Sequence, residues 1–329
     1  MWVYSDYIEV KKDFVPVFSE EVDREHPEDW KSFIPHQGLG NILSGLTKAL
    51  DRASPADKLS LWVHGAYGTG KTFACFVVKH LLEDPLEAIE EYFRRYKQLE
   101  KEWAKFKAIR ERGEYLVVFR SSSAHINSTL KLLVELQQAV KAKLQQKGHA
   151  HVVGETFHEM VLDKLTNPKS AFNWKRAFEN HRHEFMDFAS AEDVVSKVKS
   201  GDVEMTEKIA RILEKEGFVL VDSPAAVKTW LGQVIKQNRL QGIVFLWDEF
   251  TDFFVKNDQV SGLQELAQAT SEMPFYLYLV THKSLEQFQR IDAETRKKIS
   301  ERFHNIHFEM KPVTAYQLIA HAIESRPGK

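Results

Sequence analysis

Thiol chemistry is nearly absent from this chain, whose one cysteine is Cys75. That excludes a disulfide framework and a cysteine-ligated zinc site, and it fits a reducing, cytoplasmic setting. Cys75 shares the apolar face of an expected helix with Phe73, Phe76, Val77 and Leu81, the place of a buried thiol rather than a nucleophile. Long apolar runs are missing too. No stretch is long enough to cross a bilayer, and Met1 to Val10 carries charge without an apolar centre, so it does not read as a signal peptide. A soluble chain with no membrane partner is expected. Charge is balanced: 45 Lys and Arg against 47 Asp and Glu leave a net charge of −2, so contact with DNA needs a local basic patch. No internal repeat or low-complexity segment stands out. The 329 residues, 43% hydrophobic, suffice for a full core in one large domain or two modest ones.

The most informative stretch is Gly65-Ala66-Tyr67-Gly68-Thr69-Gly70-Lys71-Thr72, which fits the G-x-x-x-x-G-K-[ST] phosphate-binding loop without gap or substitution. It follows the apolar run Leu59 to Val63 and precedes the helical run Phe73 to Leu82. Glycines let the backbone curl so that successive N–H groups face phosphate oxygens, and the next helix adds its positive dipole end. Lys71 is expected to bridge the outer phosphates and Thr72 to give its hydroxyl to Mg2+. The pattern implies a nucleoside triphosphate ligand.

Around this loop the chain alternates strands and helices. Residues 1–33 read as an N-terminal extension, with strands over Tyr4 to Val10 and Phe14 to Phe18 and an acidic loop from Glu20 to Asp29. Ile42, Leu43, Leu46, Ala49 and Leu50 recur at helical spacing. From Glu83 to Arg112 acids and bases alternate around a stripe of Ile89, Phe93, Tyr96, Leu99, Trp103 and Phe106, which predicts one helix with a solvated face. Tyr115 to Phe119 reads as a buried strand, and Asn127 to Lys147 as a helix capped by Asn127 or Ser128. Gly148 to Val221 is helical, polar and poor in strands, an inserted subdomain; Ala225 to Gln237 is a helix opened by Pro224. Strands follow at Ile243 to Trp247, Pro274 to Val280 and Asn305 to Met310, separated by helices at Gln259 to Glu272, Ser284 to Phe288 and Ala293 to Phe303. Such alternation predicts an α/β fold with a parallel sheet covered on both faces.

Ile243 to Trp247 running into Asp248-Glu249 has the form of a Walker B element, a buried strand that ends at the sheet's carboxyl edge. Asp248 is expected to hold the Mg2+ shell and Glu249 to polarise the attacking water. Thr281, at the end of the next strand, is placed to sense the outer phosphate if that strand lies between the loop strand and the Asp-Glu strand; His282 is the alternative. Arg302, ending a basic helix, is positioned to project onto a neighbouring subunit's nucleotide, with Arg296 as its alternative.

Gly65 to Thr72, the Asp248-Glu249 strand, the Thr281 strand end, and Ser300-Glu301-Arg302-Phe303 leading through Pro312, Thr314, Gln317 and Leu318 occur in a familiar order. The chain resembles an AAA+ type P-loop ATPase, closest in pattern to the origin-recognition and STAND-like branches, over about Ile34 to Ile323. The resemblance implies a three-layer P-loop NTPase core over residues 34–311, with helical insertions at about 83–113 and 148–221, and the start of a helical lid over 312–329. It implies ATP and Mg2+ as cofactors, Glu249, Lys71, Thr281 and Arg302 as catalytic residues, and Gly65, Ala66, Tyr67, Gly68, Thr69, Gly70, Lys71 and Thr72 as the nucleotide cradle. Thr72 and Asp248 are implied as the metal ligands. Also implied are homo-oligomer formation, protein partners with DNA as a further candidate, and remodelling or assembly work, with insertions similar to those of bacterial conflict-system ATPases. The family's second sensing arginine is expected to be absent or to lie past Lys329.

Three further readings stand beside this one. A nucleotide-gated switch or scaffold with little hydrolysis is the alternative function, and a small-molecule kinase is disfavoured because no acceptor pocket can be named. ATP is preferred to GTP because no Asn/Thr-Lys-x-Asp signal follows the Asp-Glu strand. His149, His151, His158, His181 and His183, with Glu159 and Glu184, offer metal-ligand types, but their spacing fits no metal motif and surface histidines are expected.

Overall fold

The structure, a computed structural model, describes residues 7–11, 17–52, 58–149, 155–218, 220, 223–257 and 260–326. In chain order it begins with strand β1 (Ile8–Val10), helix α1 (Glu20–Glu25) and helix α2 (Gln37–Asp51). Strand β2 (Ser60–His64) leads to α3 (Lys71–Glu83), α4 (Leu86–Arg95), α5 (Glu100–Arg110), strand β3 (Tyr115–Ser121) and α6 (Thr129–Gln146). Next come α7 (Phe157–Thr166), α8 (Trp174–Asn180), α9 (Ala191–Lys199), α10 (Val203–Lys215) and α11 (Pro224–Gln237). Strand β4 (Gly242–Asp248), α12 (Thr251–Lys256), α13 (Ser261–Glu272), strand β5 (Phe275–Thr281), α14 (Ala293–Arg302), strand β6 (Phe303–His307), α15 (Pro312–Ala322) and strand β7 (Ile323–Ser325) complete it.

Five strands form one parallel sheet in the order β3-β4-β5-β2-β6. Burial on both faces explains why β4 and β5, and most of β2 and β3, read as continuous apolar runs, while the edge strand β6 is buried only at Phe303 and Ile306. Alternate residues face opposite cores. Leu61, Val63, Val117, Leu246, Tyr278 and Ile306 pack with α2, α3, α4 and α5 on one side. On the other, Trp62, Val118, Phe245, Trp247, Leu279 and Phe303 pack with α6, α11 and α13. The result is a three-layer α/β arrangement. A third core, with Phe157, Trp174, Phe178, Phe185, Val194 and Ile209, belongs to the helices α7 to α10.

Several elements depart from expectation. The expected acidic loop at Glu20 contains α1, whose Ser19 hydroxyl accepts from the Val22 N–H, and whose Asp23 is buried against Lys79 and His80. Acids in the first turn suit a helix N-terminus, so acidity was no argument for a loop. The single helix expected over Glu83 to Arg112 is two: Pro85 starts α4, and Tyr96, in extended backbone, ends it before α5. The stripe is nonetheless buried at Ile89, Phe93, Leu99 and Phe106. The last core strand is Phe303–His307, earlier than expected. Of the expected first strands only Ile8–Val10 is observed; Phe14 lies outside the described residues. After α15 comes a strand that was not expected: β7 pairs antiparallel with β1, Ile8 beside Ser325.

The parallel register brings the carboxyl ends of all five strands to one edge. His64 lies beside Thr281 and His307, and Ser121 beside Asp248. The phosphate-binding pattern and the Asp-Glu strand end lie at that edge.

Candidate functional site

Residues 65–70 connect β2 to α3 at this edge. Gly65 tolerates no side chain, because a Cβ there would lie 2.1 Å from the Phe308 carbonyl oxygen. Its N–H donates to the Thr281 carbonyl at 3.3 Å. Gly68 and Gly70 take φ of 74° and 90°, the left-handed region that side-chain-bearing residues avoid. Gly70 is the N-cap of α3 and has no side chain to occupy the first amides of that helix, which therefore face the loop with their positive dipole end.

Lys71 is 5% exposed, and its ammonium donates to the Gly65 carbonyl at 2.7 Å and the Ala66 carbonyl at 2.6 Å. Burial lowers its pKa, opposed by the negative charge of Asp248. The Thr72 hydroxyl donates to Asp248 Oδ2 at 2.5 Å, and the other carboxylate oxygen accepts from the Glu249 N–H at 2.8 Å. The loop and the Asp-Glu strand, far apart in sequence, therefore meet at one point. Thr72 and Asp248 supply hard oxygen donors side by side, and a cation that keeps most of its waters needs few protein ligands. These two residues fit Mg2+. Among the described residues no group of three or more His, Cys, Asp or Glu is arranged to hold a metal ion.

Glu249 carries its exposed side chain on backbone with φ of 53°, unusual for a residue other than glycine. Its carbonyl accepts from the buried Ser123 hydroxyl at 3.2 Å. Cys75 is fully buried beneath the site, and burial, with Asp248 nearby, pushes its thiol well above the usual range.

At the next strand end Thr281 and His282 differ in orientation. β5 does lie between β2 and β4. The Thr281 hydroxyl, however, is wholly buried, accepting from the Trp62 indole at 2.9 Å and donating to the Lys283 carbonyl at 2.6 Å. It is turned toward the core face of Trp62 rather than toward the loop. His282 faces the loop instead: its ring stacks on Tyr67, with centroids 3.4 Å apart and planes at 24°, and its N–H donates to the Thr251 hydroxyl. Burial, then the positive charge of Lys71, lowers the His282 pKa and favours neutral imidazole.

Arg302 immediately precedes β6, whose first residue Phe303 is beside Ser60, so it sits at the amino edge of the sheet. That is about 13 Å of strand away from the loop. Its guanidinium donates to the Lys298 carbonyl at 2.7 Å and to Gln268 at 3.3 Å, while Arg296 donates to the Glu286 carbonyl. Arg302 is not brought to the loop of its own chain, whereas Arg296 lies by Glu286, whose charge interacts with His64 just before the loop.

The histidines of the insertion do not gather at one point. His149 pairs with Glu114 and His158 with Thr206, while His181 and His183 share Glu184 and His181 also meets Glu216; Glu159 closes a capping box with Thr156, and His151 lies outside the described residues. Two features at the edge went unread in the sequence. His64 stacks on His307 with centroids 5.1 Å apart, its pKa lowered by burial and by His307. Ser123 reaches Glu249 from the end of β3. A histidine just before Gly65 and a run of three serines after an apolar strand were the available signals. Compared with family models, curated proteins and solved structures, the chain matches none.

Proposed function

We propose that this chain binds ATP with Mg2+ and hydrolyses it, as a P-loop ATPase of AAA+ type acting in an oligomer on a macromolecular partner. The observation that carries the reading is the 2.5 Å bond between Thr72 and Asp248, with the Lys71 ammonium held on the same loop. In sequence the phosphate-binding pattern and the Asp-Glu strand are independent; their meeting is what a triphosphate and its metal require. The position of β5 between β2 and β4 supports the same reading.

In this reading the amides of residues 65–72 and the Lys71 ammonium bind and orient the phosphates. Thr72 and Asp248 hold Mg2+, which when bound neutralises charge on the outer phosphates. The Glu249 carboxylate takes the proton of the attacking water, and its anchored backbone keeps that carboxylate at the strand end. The His282 ring, not the Thr281 hydroxyl, faces the loop for sensing the outer phosphate. Arg302 supplies its cation to a neighbouring copy, since its own loop lies at the opposite edge.

Phosphate release by the wild-type chain and Glu249→Gln tests the assignment. The substitution lowers turnover by about 100-fold or more and spares ATP binding; an unchanged basal rate overturns the hydrolytic role. The second reading, a nucleotide-gated switch with little hydrolysis, is favoured by one observation: Thr281 has both hydrogen-bonding functions engaged inside the fold.

A further inference from the structure

Three serines, Ser121 to Ser123, run from the last residue of β3 into the segment after it, beside the Asp-Glu strand end. Ser122 and Glu249 are neighbours across the strand ends, and both are non-glycine residues in left-handed backbone, with φ of 67° and 53°. Bonds lace them together. The Ser122 N–H donates to the Asp248 carbonyl at 3.0 Å, and the Trp247 indole donates to the Ser122 carbonyl at 3.0 Å. Ser123, 0% exposed, uses its hydroxyl fully: it donates to the Glu249 carbonyl at 3.2 Å and accepts from the Phe253 N–H at 3.0 Å. That second bond matters because α12 has no side-chain cap from its own N-cap residue, Phe250. An orphan amide of its first turn is satisfied from the segment after β3 instead.

One hydroxyl thus ties the carbonyl of Glu249 to the start of the helix that follows it. Left-handed backbone at a bulky residue persists only where surrounding contacts over-determine it. The ends of β4 and α12 have no other side-chain bond to the Glu249 carbonyl among the described residues. We infer that Ser123 is a positioning residue for hydrolysis, a clamp that holds Glu249 in its strained backbone conformation and so aims its carboxylate. The inference rests on the hydrolytic role of Glu249 proposed above.

A pair of double-mutant cycles tests it, each with a distinct readout. In the first, kcat and ATP affinity are measured for wild type, Ser123→Ala, Glu249→Gln and the double variant. Ser123→Ala lowers kcat by about 10- to 100-fold, as expected of a misplaced reacting group, and leaves ATP affinity within about twofold. Ser123→Thr, which keeps the hydroxyl, retains most of the activity. In the Glu249→Gln background Ser123→Ala has no further effect. An unchanged kcat in Ser123→Ala, or losses that multiply in the double variant, overturns the inference.

The second cycle measures Tm and needs no turnover. Glycine accepts left-handed backbone freely, so Glu249→Gly raises Tm by a few degrees in the native background. In the Ser123→Ala background the clamp is gone, and the same substitution gains little. Equal gains in both backgrounds overturn the clamp. If the wild-type chain releases no phosphate, the hydrolytic reading fails by itself, and the Tm cycle still decides whether Ser123 holds Glu249.

Discussion

The Thr72 hydroxyl meets the Asp248 carboxylate at 2.5 Å, across 176 residues of chain. One partner opens the helix after a glycine-rich loop, and the other ends a buried strand two positions away in the sheet. Parallel packing puts both at the carboxyl edge, where open α/β sheets place their ligands.

This pairing makes metal dependence the first expectation. Thr72→Val and Asp248→Asn each reduce the gain in ATP affinity that Mg2+ confers, by about tenfold or more, a scale typical of lost metal partners. Titrations of ATP with and without Mg2+ check it. Affinities that stay equally Mg2+-dependent in both variants contradict the assignment.

Gly65 makes a stability prediction. An alanine methyl would lie 2.1 Å from the Phe308 carbonyl, so Gly65→Ala forces main chain apart and costs about 1–3 kcal/mol. Urea denaturation measures the loss; a change near zero would mean that Phe308 gives way freely.

The N-terminal extension is held by a titratable cluster. His80 Nε2 contacts Asp23 at 2.6 Å and its Nδ1 contacts Asp84 at 2.9 Å, with Lys79 on Asp23, the Trp30 indole on Asp84, and the Arg110 guanidinium on the Asp84 carbonyl. Burial opposes the charged imidazole, yet the bonds to Asp23 and Asp84 outweigh it and raise the His80 pKa above 6.5. Burial likewise opposes the Asp23 carboxylate, but His80 and Lys79 lower its pKa below 3.8. Linkage fixes the signs. The His80 contribution is full below pH 6.5 and is lost as pH rises through the raised folded-state value. The Asp23 contribution is full above pH 3.8 and is lost as pH falls through the lowered value. Denaturation midpoints over a pH series therefore decline on the alkaline side, and His80→Gln flattens that decline. A decline of equal steepness in His80→Gln assigns it elsewhere.

Cys75 offers an inexpensive check. Wholly buried, with its thiol pushed up by burial, it reacts with a thiol reagent only when the chain unfolds. Rapid labelling of the folded protein would place it elsewhere.

Arg302 lies at the amino edge; on the proposal that it serves a neighbouring copy, Arg302→Ala is expected to abolish turnover while leaving ATP binding intact. Sizing in solution with and without ATP accompanies the assay. Equal loss of binding would assign Arg302 a role within its own fold.

Most of the sheet was legible in the sequence because its inner strands are buried on both faces, leaving apolar runs such as Ile243 to Trp247, whereas the edge strand β6 is buried only at Phe303 and Ile306 and was read too late in the chain. The loop was legible because its glycines and Lys71 perform tasks that few other residues can. Strand order was only a condition in the sequence, as pairing partners leave no local trace. The orientation of Thr281 was not legible either: a polar residue at a strand end looks the same whether it faces the loop or, as here, the Trp62 indole. Ser123 escaped notice for a related reason, since its partners, Glu249 and Phe253, are 126 and 130 residues away. The kink at Tyr96 was hidden because helical spacing of apolar residues continues across it.

The measurement that bears most directly on the whole account is calorimetric titration of ATP with Mg2+ into the wild-type chain and into Lys71→Ala. The account predicts saturable binding to the wild type, weakened about 10- to 100-fold by the substitution, as loss of a charge-assisted contact entails. Wild-type protein that takes up no ATP, or a Lys71→Ala variant that binds it equally well, contradicts the account.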